Sequence, residues 1–383
     1  MAKVLHIVLN DYHDDYSYQE NLLSQKHKEQ GHDVYIVTSQ KYKDSNWEIH
    51  YRAIGSYVNR YGIKVYVLPY NCRHNWQLVF LNRTKGLYSC IKEIKPDIIF
   101  YHNFIERDVR SVVRYAKEHS SVEVYVDSHN DYINTPVKGF LGWAKMLSIR
   151  RNARVIASVA KCFWGTLPIR CEYMNRVYGI PRDKIKLLIM GADEKLIETH
   201  RLLNPRLAVR GKYGIPDNAI LICTGGKLEK RKKIDLLIKA VADYGDKNVW
   251  LIVFGKPSKD MEQIYSNLKT NDRVIFVGWV DSEYVCDIFL ASDLGFFPGT
   301  HSVLWEQAVA CELPCVFHRM SGITHVDVGG NAIFIEDVSV DTIKQTLKHV
   351  FMDGTLDKMK KRAKVVASQF YLDNIAKISI GKR

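Results

Sequence analysis

The stretch GGKLEKRKK at residues 225–233 lies between two segments of different periodicity. Before it, AILIC has the length and the β-branched residues of a buried strand. After it, apolar residues recur at helical spacing: Ile234, Leu237, Ile238 and Val241. The cations therefore occupy a strand-to-helix turn, which in an open parallel sheet lies where ligands bind, beside unpaired helical N–H groups. This stretch predicts an α/β fold with an anion site at the turn.

Strand and helix patterns alternate through both halves of the chain. The strand-like runs are VLHIVLN, DVYIVTS, IKVYVLPY, DIIFYH and VEVYVDSH, then AILICTGG, VWLIVFG, VIFVGWV, LGFFPG and PCVFH. Such alternation predicts parallel, doubly wound sheets. The polar, proline-containing stretch near 196–218 is interpreted as a linker, so the sequence predicts an N-terminal domain at 1–195 and a C-terminal domain at 196–365. The basic segment 366–383 is a candidate to return to the first domain.

Composition narrows the class of partner. The 383 residues carry a formal charge of +13, which favours an acidic partner such as nucleic acid, a phosphorylated substrate or an anionic membrane. The eight cysteines form no CxxC pair and are interpreted as buried thiols in a reducing compartment. We expect a cytoplasmic protein, because no run has the length of a signal peptide or a membrane span.

A second motif, LGFFPGTHSVLWEQAVACELPCVF at 294–317, predicts another strand-to-helix turn. The N–H groups of His301, Ser302 and Val303 would point at an anion, and Glu306 in the first helical turn would suit a neighbouring diol. Together with the cationic turn, this fits a nucleotide that carries a diphosphate. Two alternatives stay open, namely that Glu306 only stabilises its helix and that the lysines are a solvated charge run.

The second half resembles the donor domain of glycosyltransferase family 4, whose members are retaining enzymes of GT-B fold. The resemblance rests on Gly226, Lys227 and Leu228 followed by Lys232, with Lys227 in place of the usual arginine. VIFVGWV, which contains Gly278, resembles the strand and turn that lie against the nucleobase. Glu306 matches the second glutamate of the family motif, which holds the ribose. Pro298 occupies the place of the first, so the donor sugar must be held differently.

The first half resembles the opening of bacterial exopolysaccharide transferases over SYQENLLSQKHKEQGHDV. This resemblance implies that Tyr18 and Gln19 lie on the acceptor side. VDSHND places His129 where the family has a histidine near the sugar ring, and His102 in FYHNF is a weaker match on the acceptor side.

The resemblance implies two Rossmann-like domains facing a cleft and a retaining hexosyltransferase. It would move a sugar from a nucleotide sugar to a glycan or lipid-linked saccharide in surface polysaccharide biosynthesis. His129, Lys227 and Lys232 are the expected catalytic residues. No cofactor beyond the nucleotide-sugar co-substrate is expected, and no nucleic acid. No metal is expected either, because Asp127 and Asp131, like Asp14 and Asp15, are interpreted as solvated or capping carboxylates and the cationic turn can neutralise the diphosphate.

Other classes remain as alternatives. A catalytically silent GT-B partner or glycan-binding protein would explain the missing glutamate, and a sugar-nucleotide epimerase is a further enzyme of this fold. A polyanion-binding protein would explain the charge but not Glu306. VKGFLGWAKMLSIRRNARVI has the pattern of an interfacial helix, although packed core is the favoured interpretation of Phe140, Trp143 and Leu147. Any membrane contact is expected to be peripheral, at the inner face of the cell membrane.

Overall fold

The structure is a computed structural model that describes residues 1–9, 12–14, 19–43, 48–71, 83–135, 137, 139–269, 271–352 and 354–382. The chain divides into two compact units. Unit 1 comprises Met1–Ile189 and Ile375–Arg383, and unit 2 comprises Met190–Asn374.

In the described part of unit 1, eight strands form one sheet in the order β12-β11-β10-β9-β1-β2-β6-β5, with short hairpins beside it. The strands are β1 (Lys3–Val8), β2 (Asp33–Ser39), β3 (Lys41–Lys43), β4 (Ile49–Tyr51), β5 (Gly55–Val58), β6 (Lys64–Leu68), β7 (Tyr70–Asn71), β8 (Arg83–Thr84), β9 (Ile98–His102), β10 (Glu123–Ser128), β11 (Ala160–Gly165) and β12 (Ile185–Leu187). All pairs in the large sheet are parallel except β5 with β6.

Helices cover the faces of this sheet, which explains why its central strands are apolar on both sides. They are α1 (Gln19–Glu29), α2 (Leu87–Ile94), α3 (Val109–Glu118), α4 (Gly139–Ala157) and α5 (Pro168–Arg176). One buried cluster joins β1 and β9 to α2–α5, and another joins the opposite face to Leu23 of α1 and to Ile375 near the C-terminus.

Unit 2 contains a parallel sheet in the order β15-β14-β13-β16-β17-β18. Its strands are β13 (Ile220–Gly225), β14 (Val249–Phe254), β15 (Val274–Gly278), β16 (Leu294–Phe297), β17 (Cys315–His318) and β18 (Ala332–Ile335). Its helices are α6 (Glu194–Leu202), α7 (Pro205–Tyr213), α8 (Ile234–Ala242), α9 (Glu262–Asn267), α10 (Ser282–Ala291), α11 (Leu304–Ala310), α12 (Val340–Phe351) and α13 (Thr355–Val366), and α14 (Leu372–Ser379) leads back into unit 1. The order of the strands reverses at β13, because β14 and β15 lie on one side of it and β16, β17 and β18 on the other. A ligand crevice is expected at such a point, at the carboxyl ends of the strands.

The predicted linker at 196–218 is wrong, since α6 and α7 fill most of it. Asp193 caps α6 by accepting a hydrogen bond from the Lys195 amide, and Pro205 begins α7 at a position where its missing N–H costs nothing. Arg210 of α7 is fully buried and donates to Asp293 over 2.7 Å. These contacts make α6 and α7 part of unit 2, so the unit begins at residue 190 rather than at 196.

The C-terminal residues 375–383 belong to unit 1, whereas 366–374 stay in unit 2. The indole nitrogen of Trp164 in β11 donates to the backbone oxygen of Ser379 over 2.9 Å. Tyr371 instead forms a backbone bridge with Ala192 at the start of unit 2. The last helix therefore divides between the two units.

Helix α4 turns an apolar face outward. Phe140 is 78% exposed, Trp143 55% and Leu147 43%, whereas Ile149 and Ile156 on the other face are fully buried. The favoured interpretation of the outer stripe as packed core is therefore wrong. No described helix has both the length and the apolarity needed to cross a membrane. Of the eight cysteines, the seven in the described residues are buried and free, as predicted.

Candidate active site

The cationic turn follows β13 and is shaped by two glycines. Gly226 has a φ of 109°, and its N–H donates to the backbone oxygen of Phe254. Gly255, at the end of β14, packs so close that a Cβ there would lie 1.8 Å from the Gly226 oxygen. A side chain at Gly255 is therefore excluded, and Gly226 adopts a backbone conformation that favours glycine. Lys227 follows with an exposed side chain.

Lys232 connects this turn to the loop after β16. It ends a 3-10 turn at Lys230–Lys232, and its ammonium donates to the backbone oxygens of Thr300, over 2.6 Å, and His301, over 3.2 Å. A Cβ on Gly299 would lie 2.3 Å from the Lys232 Cα, so only glycine allows this approach. Burial, assisted by the charge of Arg231, lowers the pKa of Lys232 from 10.5 to about 8.

Glu306, in the first turn of α11, is fully buried between two histidines. Its Oε1 accepts from His301 Nε2 over 2.9 Å and from His325 Nε2 over 2.8 Å, and its Oε2 lies 3.1 Å from His301 Nε2. Burial alone would raise the pKa of Glu306, but the two histidines lower it to about 2. His325 was not predicted, because it lies 19 residues further along the chain, beyond β17, with no motif around it.

These three side chains also offer metal-ligating atoms that all lie within 4.8 Å of one another. The Nε2 atoms of both histidines contact the carboxylate of Glu306 at distances typical of hydrogen bonds, whereas the buried Nδ1 of His325 has no hydrogen-bond partner among the described residues. A metal held through the Nε2 atoms would have to replace these bonds. The expectation of a metal-independent site stays a prediction.

Ser302 and Val303 lie half-buried between His301 and α11. The Trp305 amide donates to the Ser302 oxygen and the Gln307 amide donates to the Val303 oxygen, so the N–H groups of residues 301–303 precede the helical ladder. Their role in anion binding stays a prediction. The helix that follows has seven residues, which limits its dipole.

A cavity of about 410 Å³ opens at the carboxyl ends of β13, β14 and β15. It is lined by residues that include Leu228, Gly255, Tyr265, Phe276 and Gly278. Gly278 has a φ of 83°, which turns the chain at the rim of the cavity. A flat, partly apolar ligand would fit such a lining.

In unit 1, His129 follows β10 and is half-buried. Its Nε2 lies 3.7 Å from Asp127 Oδ2, an ion-pair distance, and has no hydrogen-bond partner among the described residues. Burial opposes protonation of His129, but the hydrogen-bonding capacity and charge of Asp127 outweigh it, so its pKa is raised. Asp127 is fully buried, so its interpretation as a solvated carboxylate is wrong; Asp131 accepts the amides of Ile133 and Asn134 as a capping residue does.

The residues expected on the acceptor side have different outcomes. Tyr18 lies outside the described residues. Gln19 begins α1, and its buried side-chain amide has no hydrogen-bond partner in the described part of the chain. His102 is buried, with one ring nitrogen bonded to His6 and the other to Asp127. Both nitrogens are used within unit 1, so we no longer assign His102 to acceptor binding.

Residues 206–366 match the family model described as "Glycosyl transferases group 1". An uncharacterised glycosyltransferase of Methanocaldococcus jannaschii is 24% identical over 222 residues, which is 55% of this chain and 56% of that protein. The lipopolysaccharide core biosynthesis glycosyltransferase LpsD of Rhizobium meliloti is 33% identical over 145 residues, 35% of this chain and 42% of that protein. The chain thus spans about half the length of the curated relatives it matches.

Similarity to solved structures extends over the whole chain. HepE of Anabaena, solved in complex with UDP-glucose, superposes with a TM-score of 0.64 at 14% identity, covering 99% of this chain and 98% of that one. Identity at this level establishes the fold alone. The chain therefore has the GT-B fold with two Rossmann-like units, and within unit 2 its residues 206–366 are similar to the glycosyl transferases of group 1.

Proposed function

We propose that the chain is a retaining, metal-independent glycosyltransferase of family 4 that uses a nucleotide sugar as donor. The observation that carries this proposal is the Lys232 ammonium, which is buried where the loops after β13 and β16 meet. The segment that matches the glycosyltransferase family model contains both loops.

The donor diphosphate would bind at the cationic turn. Lys232 uses two donors on backbone oxygens, and an ammonium has three, so one remains for a phosphate oxygen. Lys227 is exposed at the glycine turn and can approach from solvent. The N–H groups of 301–303 add neutral donors that need no particular side chain. Positive charge fixed at this position stabilises the charge that grows on a departing diphosphate.

The nucleoside would extend from the diphosphate to the cavity beside Gly278. Aromatic and apolar lining there, including Phe276 and Tyr265, suits a base. Glu306 would hold the ribose through Oε2, the oxygen with the longer contact, while Oε1 stays bonded to both histidines. Since His301 also contacts Oε2, ribose binding requires His301 to adjust.

Unit 1 would bind the acceptor, with His129 near the reacting carbon and the unpartnered amide of Gln19 on the acceptor side. The anomeric configuration of the donor sugar would be retained because the acceptor attacks the face that the leaving phosphate occupies. This mechanism needs no carboxylate nucleophile. No metal is required because Lys227 and Lys232 supply the positive charge.

A lipid-linked or surface saccharide is the proposed acceptor, at the cytoplasmic face of the membrane. The exposed Phe140, Trp143 and Leu147 of α4 form an apolar face, and Arg150 and Arg151 lie one to two turns further along. A helix with this distribution binds anionic interfaces peripherally. The chain's charge of +13 adds to that attraction, and LpsD, one of the similar proteins, is by name a lipopolysaccharide core enzyme.

The test is a transfer assay with a panel of nucleotide sugars and lipid-linked or soluble saccharide acceptors, in buffer with and without EDTA. We expect one donor to yield a glycosylated product whose anomeric configuration, read by NMR, matches the donor, at equal rates in both buffers. Inversion would refute retention, and loss in EDTA would refute metal independence. Binding of a donor without transfer or hydrolysis would favour a silent partner, and a rearranged free sugar nucleotide would favour an epimerase.

A further inference from the structure

Three histidines and an aspartate form a continuous chain of hydrogen bonds through the interior of unit 1. His27 Nδ1 lies 3.0 Å from His6 Nε2, His6 Nδ1 lies 3.0 Å from His102 Nε2, and His102 Nδ1 lies 2.6 Å from Asp127 Oδ2. At the other end, His27 Nε2 lies 2.9 Å from the backbone oxygen of Ala376. The four side chains are at most 5% exposed, so water cannot replace these partners.

Sheet order explains why residues from distant parts of the sequence meet. His6 is in β1 and His102 ends β9, its neighbour, and His102 is paired in register with Asp127 of β10. His27 comes from α1, which covers β1. The chain of side chains therefore runs across the sheet from α14 to the carboxyl end of β10, where His129 follows.

The hydrogen bonds of this chain of side chains require more protons than three neutral imidazole rings supply. A backbone carbonyl at one end and an ionised carboxylate at the other can only accept hydrogen bonds. Four bonds lie between these acceptors, and each needs one proton. Three neutral imidazole rings carry three protons, so one further proton is required.

Ser379 offers one alternative with three protons. Its hydroxyl lies 3.1 Å from His27 Nε2, and if it donated there, all three rings could be neutral and point their protons toward Asp127. The hydroxyl instead lies 2.8 Å from the Ala376 oxygen, to which it donates. The alternative would also leave His27 Nε2 unprotonated at 2.9 Å from that same oxygen, so that the lone pairs of the two atoms would repel each other. The geometry therefore favours the chain with four protons.

The short contact of 2.6 Å between His102 Nδ1 and Asp127 Oδ2 favours the aspartate end as the place of the additional proton. Burial lowers the pKa of His6, and it lowers the pKa of His27 to about 4, so neither ring favours a charge. Burial would raise the pKa of Asp127, but the charge and hydrogen bond of His102, with a smaller contribution from His129, lower it below its usual range. When the ionised Asp127 shares the additional proton with His102, the two groups together carry no net charge. This arrangement avoids the cost of an unpaired buried charge.

We propose that His27, His6, His102 and Asp127 form a relay that holds one additional proton, and that the three histidines are positioning residues which set the charge that Asp127 presents to His129. The other charged groups near the two ends are Glu20 and Arg170 beside His129, and His32 and Lys382 beside His27. A neutralised Asp127 attracts a proton to His129 less strongly than a bare carboxylate does. The relay thus tunes the proton affinity of the histidine that we place near the reacting carbon, a consequence for transfer that rests on the proposed function.

The first measurement is long-range ¹H–¹⁵N NMR of the full chain labelled on histidine, which reports the protonation of each ring nitrogen. At a pH of about 8, above the ordinary histidine pKa of about 6.5, we expect four protons on the six ring nitrogens of the relay, with His27 protonated on Nε2. Three protons on these six nitrogens, whichever nitrogen of His27 carries one, would overturn the proposal.

Two variants and one control extend this test. Ser379→Ala removes the alternative donor, and the His27 signals should keep their protonation; a changed tautomer would contradict the relay. His6→Leu interrupts it, so the titration midpoint of His129 should rise by about one pH unit. His349→Leu, at an exposed histidine of α12, should leave that midpoint unchanged.

Equal His129 midpoints in His6→Leu and the control would refute the positioning role. If His6→Leu does not fold, the wild-type spectrum and Ser379→Ala still decide the proton count. Because these readouts need no turnover, absence of transfer activity would refute the proposed function and leave the relay standing.

Discussion

Replacement of Lys232 by methionine tests the donor-phosphate assignment, because methionine keeps an apolar stem and removes the ammonium. The variant loses two hydrogen bonds, to the backbone oxygens of Thr300 and His301, and bonds from a charged donor contribute about 1.5–3 kcal/mol each. It also removes a buried charge. Burial lowers the pKa of Lys232 in wild type from 10.5 to about 8. At 1.36 kcal/mol per pH unit, this shift corresponds to about 3.4 kcal/mol of destabilisation, which the methionine variant relieves.

These contributions nearly cancel, so we expect the free energy of unfolding of unit 2 to fall by no more than about 3 kcal/mol. Turnover has no such compensation. Loss of one stabiliser of developing charge costs about 3 kcal/mol in the transition state, on the order of a hundredfold in kcat. Lys227→Met is expected to be the next most severe, since its exposed ammonium is screened by water.

The assay combines urea unfolding with steady-state transfer kinetics, and the control is Lys230→Met, an exposed lysine in the same turn. In wild type, kcat/KM should also fall as the pH rises through about 8, because the charged form of Lys232 is lost there. Wild-type turnover in a folded Lys232→Met variant, or an equal loss of turnover in Lys230→Met, would refute the assignment of Lys232 to the donor phosphate.

The remaining predictions concern side chains of both units. Glu306→Gln leaves two buried histidines without an ionised acceptor and should reduce the free energy of unfolding by about 3 kcal/mol, measured in urea. That loss should shrink as the pH falls from the ordinary carboxyl pKa of 4.5 to about 2, because the unfolded wild type takes up a proton at a higher pH than the folded protein does, and an unchanged midpoint at neutral pH would contradict the burial argument. Ribose binding is therefore better tested on wild type, by calorimetry with the donor and its 2′-deoxyribose analogue, and equal affinities would exclude a ribose contact. His301→Ala should change the preference among donors that share one nucleotide, whereas His129→Ala should lower kcat/KM with all of them; uniform loss in the first or no loss in the second would show that the two roles are misassigned. Trp143→Ser should weaken binding to anionic vesicles in a flotation assay and spare transfer to soluble acceptors, and undiminished flotation would show that α4 is not the membrane face.

Local patterns were enough to predict the alternation of strands and helices. Buried parallel strands are apolar on both faces, so runs such as AILICTG and VWLIVF are recognisable without tertiary information. The cationic turn was predicted for the same reason, since it is one continuous segment. The stretch at 196–218 misled because its proline and polar residues indicate a linker, yet Pro205 begins a helix and Arg210 is buried against Asp293.

Contacts through space account for what the sequence did not reveal. His325 joins Glu306 only because β17 returns the chain to the loop after β16, and no spacing in the sequence encodes this. His6 and His27 meet His102 because β1 lies beside β9, a matter of strand order. Asp127 looked solvated in VDSHND, since burial at the end of an interior strand depends on the neighbours that the sheet supplies. The outward face of α4 was misjudged because helical periodicity shows an apolar stripe without showing what covers it.

The proposed function requires unit 2 to bind a nucleotide sugar through the cationic turn. Calorimetric titration of wild type and Lys232→Met with UDP, GDP, ADP and CDP, followed by the matching nucleotide sugars, measures this binding. We expect one nucleotide to bind wild type with a stoichiometry of one and to bind Lys232→Met about tenfold or more weakly, since a charge-assisted contact contributes about 1.5 kcal/mol or more. Binding of none of them to wild type, or equal affinity in the folded variant, would contradict this expectation.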